Sequence, residues 1–552
     1  MRRTLALLGL LIFVSCSAVD HTISGKVQDE HGPLAGAVVR IQTTTISTTT
    51  DESGNFTLPG PAAGEQVFVT AWHTGYFIAG VNAEAGDADL VIELHHHADQ
   101  DNIAYRWLPS QHHTGQGEDQ GCAACHSSAG TEETVALPVD EWLLDAHSQS
   151  ARNPRFISMY LGTDVSGNLS PPTRYASSRD YGSFPLPPDL NQPYYGPGYK
   201  LDFPKTAGNC ATCHTPAASV NHPYGIDPTE VNGVATEGVP CDFCHKVWGV
   251  RLNSATGLPY VNMPGVLSYE FRRPPEGHQF FAGPYDDVAP GEDTYSPLQQ
   301  ESAFCAPCHF AVFWDTTIYN SYGEWLASPY SDPVSGKTCQ DCHMPVGQAD
   351  RFALVEAGGL QRDPETVFSH RMPGAADVPL LQDALTMTVS AGLEGEEVQV
   401  QVELFNDNTG HHIPTDSPLR HMILVVQAYD QHSSLLAQID GPVIADWAGE
   451  GDPAKGYYGG LPGMIYAKVL EELWTQISPT GAYWNPTRVV SDNRIPAMET
   501  DVTNYRFAVP EGSAIRVEVR LIFRRAFIGL IEQKGWDIPD IVIAQEIIEL
   551  NQ

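Results

Sequence analysis

Five copies of one spacing carry the chemistry of this chain: Cys122-x-x-Cys125-His126, Cys210-x-x-Cys213-His214, Cys241-x-x-Cys244-His245, Cys305-x-x-Cys308-His309 and Cys339-x-x-Cys342-His343. With 11 Cys and 21 His in 552 residues, chance would supply on the order of 0.01 copies. On one turn of helix, residues i, i+3 and i+4 share a side. Two thiols can then bond the two vinyl groups of a porphyrin while the imidazole reaches its iron, so C-x-x-C-H reads as the attachment signature of c-type haem. Zinc knuckles or redox C-x-x-C pairs are the competing readings, but neither requires a His after every second Cys. Five covalently bound haems with their iron are the expected cofactors, and His126, His214, His245, His309 and His343 the proximal metal ligands.

If every iron is a closed electron carrier, five further ligands are needed. His147 lies in EWLLDAHSQSARNP, where a predicted helix over 140–151 places it on the apolar face of Leu143. His222 follows the second motif in VNHPYG, His278 precedes the fourth in EGHQFFAGPYDD, and His370 lies in FSHRMPGA. His411 stands in NDNTGHHIPTDSPLRH. His112, His113, His412 and His421 are reserves, and surface loops are the competing reading for those in Gly/Pro-rich stretches. Met344 or Met372 could replace one imidazole and raise that centre's potential.

The elements that must hold these residues fall into three blocks, a multidomain chain with two β-sandwiches around a coil-rich centre. Residues 20–97 alternate short β runs (23–27, 38–41, 67–71, 90–94) with turns such as His31-Gly32-Pro33, the pattern of a small sandwich. Residues 102–378 are dense in Pro and Gly, so regular structure should be sparse, with short helices after the motifs, notably 309–314. The porphyrins would supply the core there, and folding should depend on them. Residues 379–552 return to period-two alternation at Val398, Val400, Val402 and Leu404 and again from Ile515 to Phe523, which predicts half-buried strands of a second sandwich.

Ten of the eleven Cys are consumed by the motifs, leaving Cys16 behind the apolar run Leu5 to Val14 that follows Arg2-Arg3. This reads as an export signal over residues 1–18, and Phe13-Val14-Ser15-Cys16 is similar to a lipoprotein processing box in which Cys16 is acylated. Ordinary cleavage after Ala18 is the alternative. No other stretch approaches the ~18 apolar residues of a membrane helix, so the membrane is met only through that anchor. The expected location is exported: outer-membrane lipoprotein, periplasm or cell surface. A formal net charge of −37 argues against nucleic acid and anionic lipid as partners and for solubility. It suits basic redox partners, cations or a positively charged mineral.

GPLAGAVVRI and TTTDESGNFTLPG resemble the carboxypeptidase regulatory-like domain, which implies a spacer or adhesion module and no peptidase. His95, His96 and His97 after its last strand read as a polar linker. The N-x-G-H-x-x-P-T element around His411, with YGEWLASPYSDPVSGKTCQDCHMP before the fifth motif and DNRIPAMETDVTNYRF near the end, resembles exported multihaem c-type cytochromes with a C-terminal β-domain. That resemblance implies that His411 reaches from the β-domain to a haem; Asp416 stands where glycine is usual. Such relatives include both wires and reductases. Three functions therefore stay open: an electron conduit to other redox proteins or an extracellular acceptor, a reductase of a small nitrogen or sulfur oxyanion at one open iron, and a filament subunit assembled through a spare His such as His97 or His113. No C-x-x-C-K occurs, so a lysine-ligated active haem is not expected.

Overall fold

The computed structural model describes residues 22–62, 64–111, 121–288, 291–510 and 514–551. Cys16, the export signal, His112 and His113 lie outside them. The chain divides into one unit of residues 1–99 with 285–295 and a second unit of residues 100–284 with 296–552.

Within residues 22–94 of the first unit, eight described strands form: β1 (Thr22–Asp29), β2 (Gly32–Pro33), β3 (Val38–Ile41), β4 (Ser47–Thr49), β5 (Asn55–Pro59), β6 (Gln66–Trp72), β7 (Ala79–Glu84) and β8 (Leu90–Glu93). One sheet holds β2, β1, β5 and β8, the other runs β4-β3-β6-β7. Ile23 and Val27 of β1, Phe56 and Leu58 of β5, Val39 of β3 and Val69 of β6 meet in a single apolar cluster between them. The segment 285–295 belongs to this unit: Arg40 pairs with Asp286 at 2.7 Å, and the Trp72 indole N–H donates to Thr294 Oγ1 (3.0 Å).

The central part of the second unit is irregular. Its longest described helix is the eight-residue Pro154–Leu161. The predicted helix over 140–151 forms as two pieces, α1 (Pro138–Trp142) and α2 (Ala146–Gln149). Asp145 between them adopts extended backbone and its carboxylate accepts from the His147 N–H, the N-cap role that ends one helix and starts another. The helix expected over 309–314 is a hairpin instead, Ala311–Phe313 against Thr316–Tyr319. Trp314 and Asp315 turn it with φ of 49° and 67°, and the run of β-branched and aromatic residues around them favours the extended pairing.

The C-terminal part carries two sheets. β9 (Thr386–Glu394), β10 (Glu397–Phe405), β15 (Thr500–Ala508) and β12 (Gln438–Asp440) form one, in that order. The other runs β14 (Thr487–Asp492), β13 (Gly463–Glu472), β11 (His421–Tyr429), β16 (Ile515–Arg524) and β17 (Ile541–Leu550). Val398, Val400, Val402 and Leu404 of β10 are buried while Gln399, Gln401 and Glu403 are exposed, the period of two that the sequence shows. β11 differs: its first eight residues are all buried, because a second apolar cluster with Ile423, Val425 and Ile465 covers the sheet's other face.

Two buried lysines tie this β region to the central segment. Lys468 Nζ donates to the carbonyls of Thr317 (3.2 Å) and Ile318 (2.7 Å). Lys534, fully buried, donates to those of Ser158 (3.0 Å), Thr163 (2.9 Å) and Pro197 (2.6 Å). Replacing it by methionine keeps the volume but orphans three carbonyls, so Lys534→Met should lower stability by about 3 kcal/mol, read as a fall in the thermal midpoint of the full-length protein.

Candidate functional site

All five Cys-x-x-Cys-His segments fold as a single tight turn. In four of them the His N–H donates to the carbonyl of the first Cys, four residues back: His126 to Cys122 (2.9 Å), His214 to Cys210 (3.1 Å), His245 to Cys241 (3.1 Å) and His309 to Cys305 (3.2 Å). The fifth is helical throughout, Cys339–His343. This bond sets the imidazole on the side of the first thiol. All ten thiols are free of disulfides.

Each motif imidazole is held from behind. Nδ1 meets the carbonyl of Phe352 for His126 (2.6 Å), Ser150 for His214 (3.2 Å), Ala282 for His245 (2.8 Å) and Pro373 for His343 (2.7 Å). A carbonyl only accepts, so Nδ1 carries the proton and Nε2 keeps its lone pair, the state a metal binds. Burial pushes His214 and His343 down to about 4 and lowers His245, which keeps the rings neutral. His309 is the exception: its Nδ1 lies 3.6 Å from the Asp416 carboxylate. Burial lowers its pKa, but Asp416, Cys339 and Cys213 together outweigh that and leave it raised.

Among the described residues, three of the five rings face a second imidazole. His245 and His370 have ring centres 6.5 Å apart and nearly parallel planes (21°). His343 and His411 repeat this at 6.5 Å and 17°. His309 and His147 stand 6.2 Å apart, close to perpendicular (72°). A metal between two imidazoles needs about 2.0 Å to each nitrogen and about 1.2 Å more to each ring centre, roughly 6.4 Å in all. The spacing therefore fits one iron per pair. The second rings are braced as well: His147 Nδ1 against Asp145 Oδ2 (2.6 Å), His370 against the Phe368 carbonyl (3.3 Å), and His411 against the His412 carbonyl (2.9 Å). Glu141 Oε2 accepts the His370 N–H (2.6 Å) and its Oε1 the Ser369 hydroxyl (3.1 Å).

The His411 loop is clamped between the β region and the central segment. Asn406 Nδ2 donates to the carbonyls of His411 and Ile495 (2.9 Å each). Glu324 receives Arg494 (2.7 Å), the His412 N–H (3.3 Å) and the Thr415 hydroxyl. Asp416 takes φ 67°, a left-handed backbone that glycine adopts most readily; its carboxylate reaches Ser321 (3.2 Å) and His309.

The remaining histidines behave differently. His222 and His278 are exposed. His126 and His214 meet Phe352 (6.4 Å) and Phe156 (3.7 Å), and no described imidazole stands opposite either. His421 is fully buried against Trp447 and Phe527, its Nε2 without a partner, and burial lowers it to about 3. No described group of three or more His, Cys, Asp and Glu forms a metal cluster of its own, and no described helix is long and apolar enough to cross a membrane.

The turns also touch one another, the fourth and fifth among them, as their short separation along the chain suggests. Thiol meets thiol between Cys122 and Cys241, Cys213 and Cys308, and Cys305 and Cys339. Ser110 joins the first and third turns, its Oγ accepting the Cys241 N–H (3.0 Å) and its carbonyl the Ala123 N–H (2.9 Å). Tyr269 is buried beside Cys244, Cys305 and Cys308 and donates to the Phe304 carbonyl (2.8 Å), linking the third and fourth. Ser302 Oγ accepts the Cys339 N–H (2.9 Å), linking the fourth and fifth. Gly265 donates to the Pro307 carbonyl (2.7 Å) while resting on Thr212, linking the second and fourth.

Residues 22–94 match the carboxypeptidase regulatory-like domain. The fold of the chain is similar to that of a penta-heme cytochrome c552 from Thermochromatium tepidum, with a TM-score of 0.52 and 19% identity over 78% of this chain and 97% of that one. A cohesin–X-dockerin complex of Acetivibrio cellulolyticus aligns over 14% of this chain and 58% of the other at 24% identity, with a TM-score of 0.13. No curated protein sequence matches.

Gly265 takes φ 55°, and a Cβ there would collide with the Thr212 carbonyl. Gly265→Ala should therefore pry the second and fourth turns apart and cost about 2 kcal/mol or more, seen as a lower denaturant midpoint than for a control Gly358→Ala, which meets nothing within 4 Å.

Proposed function

We propose that this protein is an exported multihaem c-type cytochrome that carries electrons through five covalently attached haems. The three imidazole pairs at 6.2–6.5 Å, each with one member from a Cys-x-x-Cys-His turn, carry this reading. The ten Cys of the motifs would bind the porphyrins, and His126, His214, His245, His309 and His343 would hold the irons from below. His147, His370 and His411 would close three of them, on the fourth, third and fifth centres respectively. Haem iron supplies one-electron exchange when bound.

The chain's own residues fix the rest. Carbonyls behind Nδ1 orient four motif imidazoles, and Asp416 does so for His309, where a carboxylate donates more electron density than a carbonyl. Contacts between turns support a path from the first to the third to the fourth, which branches to the second and the fifth. Along the chain, one β-sandwich would precede this array and a second would follow it, the C-terminal one donating His411. A lipid on Cys16 would tether the protein at the outer membrane or cell surface, and other redox proteins or an extracellular acceptor would receive the electrons.

A second reading is favoured by His126 and His214: among the described residues neither faces an imidazole, so an iron there would stay open to a small ligand. Self-assembly into a filament has no such support here.

The reading predicts five haem equivalents per chain in a pyridine haemochrome assay, and fewer would overturn it. His411→Met should raise one midpoint potential by on the order of 0.1 V, within the roughly 0.8 V that axial ligands span, and leave the haem count unchanged. Asp416→Asn should raise the potential of the fourth centre by a smaller step, since His309 loses its anionic partner; spectropotentiometry resolves both.

A further inference from the structure

One short helix stands between the Cys210–His214 turn and the end of the chain. This is α3 (Pro154–Leu161), begun by the Asn153 side chain accepting the Arg155 N–H (3.0 Å) and ended by Gly162 at φ 81°. Phe156 and Tyr160, four positions apart, share the side that meets the turn. The Phe156 ring lies flat on the His214 imidazole, 3.7 Å away at 4°. The Tyr160 hydroxyl donates to the carbonyl of Ala207 (3.1 Å), just before Cys210. The stack matters because the carbonyl behind this imidazole, that of Ser150, lies at 3.2 Å, the longest of the four such contacts. A hydrogen bond of that length is at the weak end of the range, so Phe156 fixes the ring plane that a carbonyl fixes elsewhere.

Successive residues turn by about 100° around a helix axis, so Ser158 lies nearly opposite Phe156 on α3. That other side is gripped by α4 (Ile528–Lys534) and the residues after it. Lys534 Nζ donates to the Ser158 carbonyl (3.0 Å), and the Trp536 indole N–H donates to the Ser158 hydroxyl (2.9 Å). Met159 packs in one cluster with Leu530 and Trp536. An ammonium has three N–H donors. The other two of Lys534 reach the carbonyls of Thr163 (2.9 Å), just past α3, and Pro197 (2.6 Å). Gly198, next to Pro197, approaches so closely that a Cβ there would lie 2.2 Å from the Gly162 Cα. Lys534 is fully buried, and all its donors are spent on this one place.

Resting on the haem reading proposed above, we propose that Lys534 and Trp536 are positioning residues for the second centre. They act through α3: the grip on Ser158 from one side holds Phe156 against His214 on the other. Without that grip Phe156 withdraws, the imidazole turns and its bond to the Ser150 carbonyl weakens. An imidazole with a weaker Nδ1 hydrogen bond is a poorer electron donor, which favours the reduced metal and raises that centre's potential.

The test is spectropotentiometry on the full-length, haem-loaded protein. Phe156→Leu should raise one midpoint potential and so mark the second centre. Lys534→Met should raise that same potential, and Trp536→Phe should raise it by a smaller step. In the double variant of Phe156→Leu with Lys534→Met, the shift should fall short of the sum, because both changes act on one contact. Lys468→Met, which orphans carbonyls elsewhere, should lower the thermal midpoint without moving that centre. A Lys534→Met protein with every potential in place and only its thermal midpoint lowered would overturn the proposal. So would a shift shared by several centres, or single shifts that simply add. If Lys534→Met does not accumulate, Trp536→Phe is judged by the same outcomes. Five haem equivalents with an unmoved second centre sink the positioning role alone, whereas fewer than five in the wild type sink the cytochrome reading.

Discussion

A neutral imidazole with its Nδ1 proton committed to a fixed acceptor is the constraint on which the rest of this structure depends. Four of the five motif rings obtain that acceptor from a backbone carbonyl far along the chain, such as Phe352 for His126 and Pro373 for His343. A ring so tied cannot rotate without breaking a buried hydrogen bond, so its lone pair keeps one direction. The irregular backbone between the motifs then has a purpose. Carbonyls such as those of Phe352 and Pro373, outside helix and strand, are free to be spent behind imidazoles.

The C-terminal sheets are part of the same constraint. Their cluster around Val400, Leu424 and Val519 is complete in itself, yet the loop after β10 leaves that core and presents His411 to His343. Glu324, Arg494 and Asn406 hold the loop from three sides, and Lys468 and Lys534 fix the distance at its flanks. A rigid β scaffold with a clamped loop positions a ligand more closely than a loop alone. Asp416 shows the same economy. Its left-handed backbone is tolerated at some cost, and in return its carboxylate stands behind His309, a role glycine could not fill.

Local chemistry was legible in the sequence, and long-range pairing was not. The Cys-x-x-Cys-His spacing announces a one-turn geometry because i and i+4 are neighbours on a helix, and Val398 to Leu404 announce a strand because every second residue is apolar. His147 could be singled out from its apolar neighbourhood, though Asp145 ends the predicted helix by capping the next one. The segment 309–314 misled, since a Phe-Ala-Val-Phe run after a helical turn suits a strand equally well. Which ring faces which depends on contacts between distant segments, His147 with His309 and His245 with His370, and no local period encodes them. His222 and His278 share the Gly/Pro-rich, aromatic setting of His370, yet only His370 has Glu141 to draw its backbone inward. β11 escaped notice for the opposite reason: buried on both faces, it has no alternation to read.

The contacts among the five turns place the fourth at a junction. Cys308 meets Cys213, Cys305 meets Cys339, and Tyr269 bridges both to Cys244, so three turns converge on one while the first attaches through Cys241. A linear relay would need only two neighbours for each inner member. The two turns beyond this junction differ: the fifth has His411 opposite its imidazole, whereas the second has Phe156 against it. The carboxylate behind His309 belongs to this same junction. On the proposed reading, electron density pushed onto that imidazole would favour the oxidised metal, so the branch point would pass charge onward instead of storing it. The irregular centre and the clamped β loop thus answer to one arrangement, a junction whose arms end in unlike surroundings.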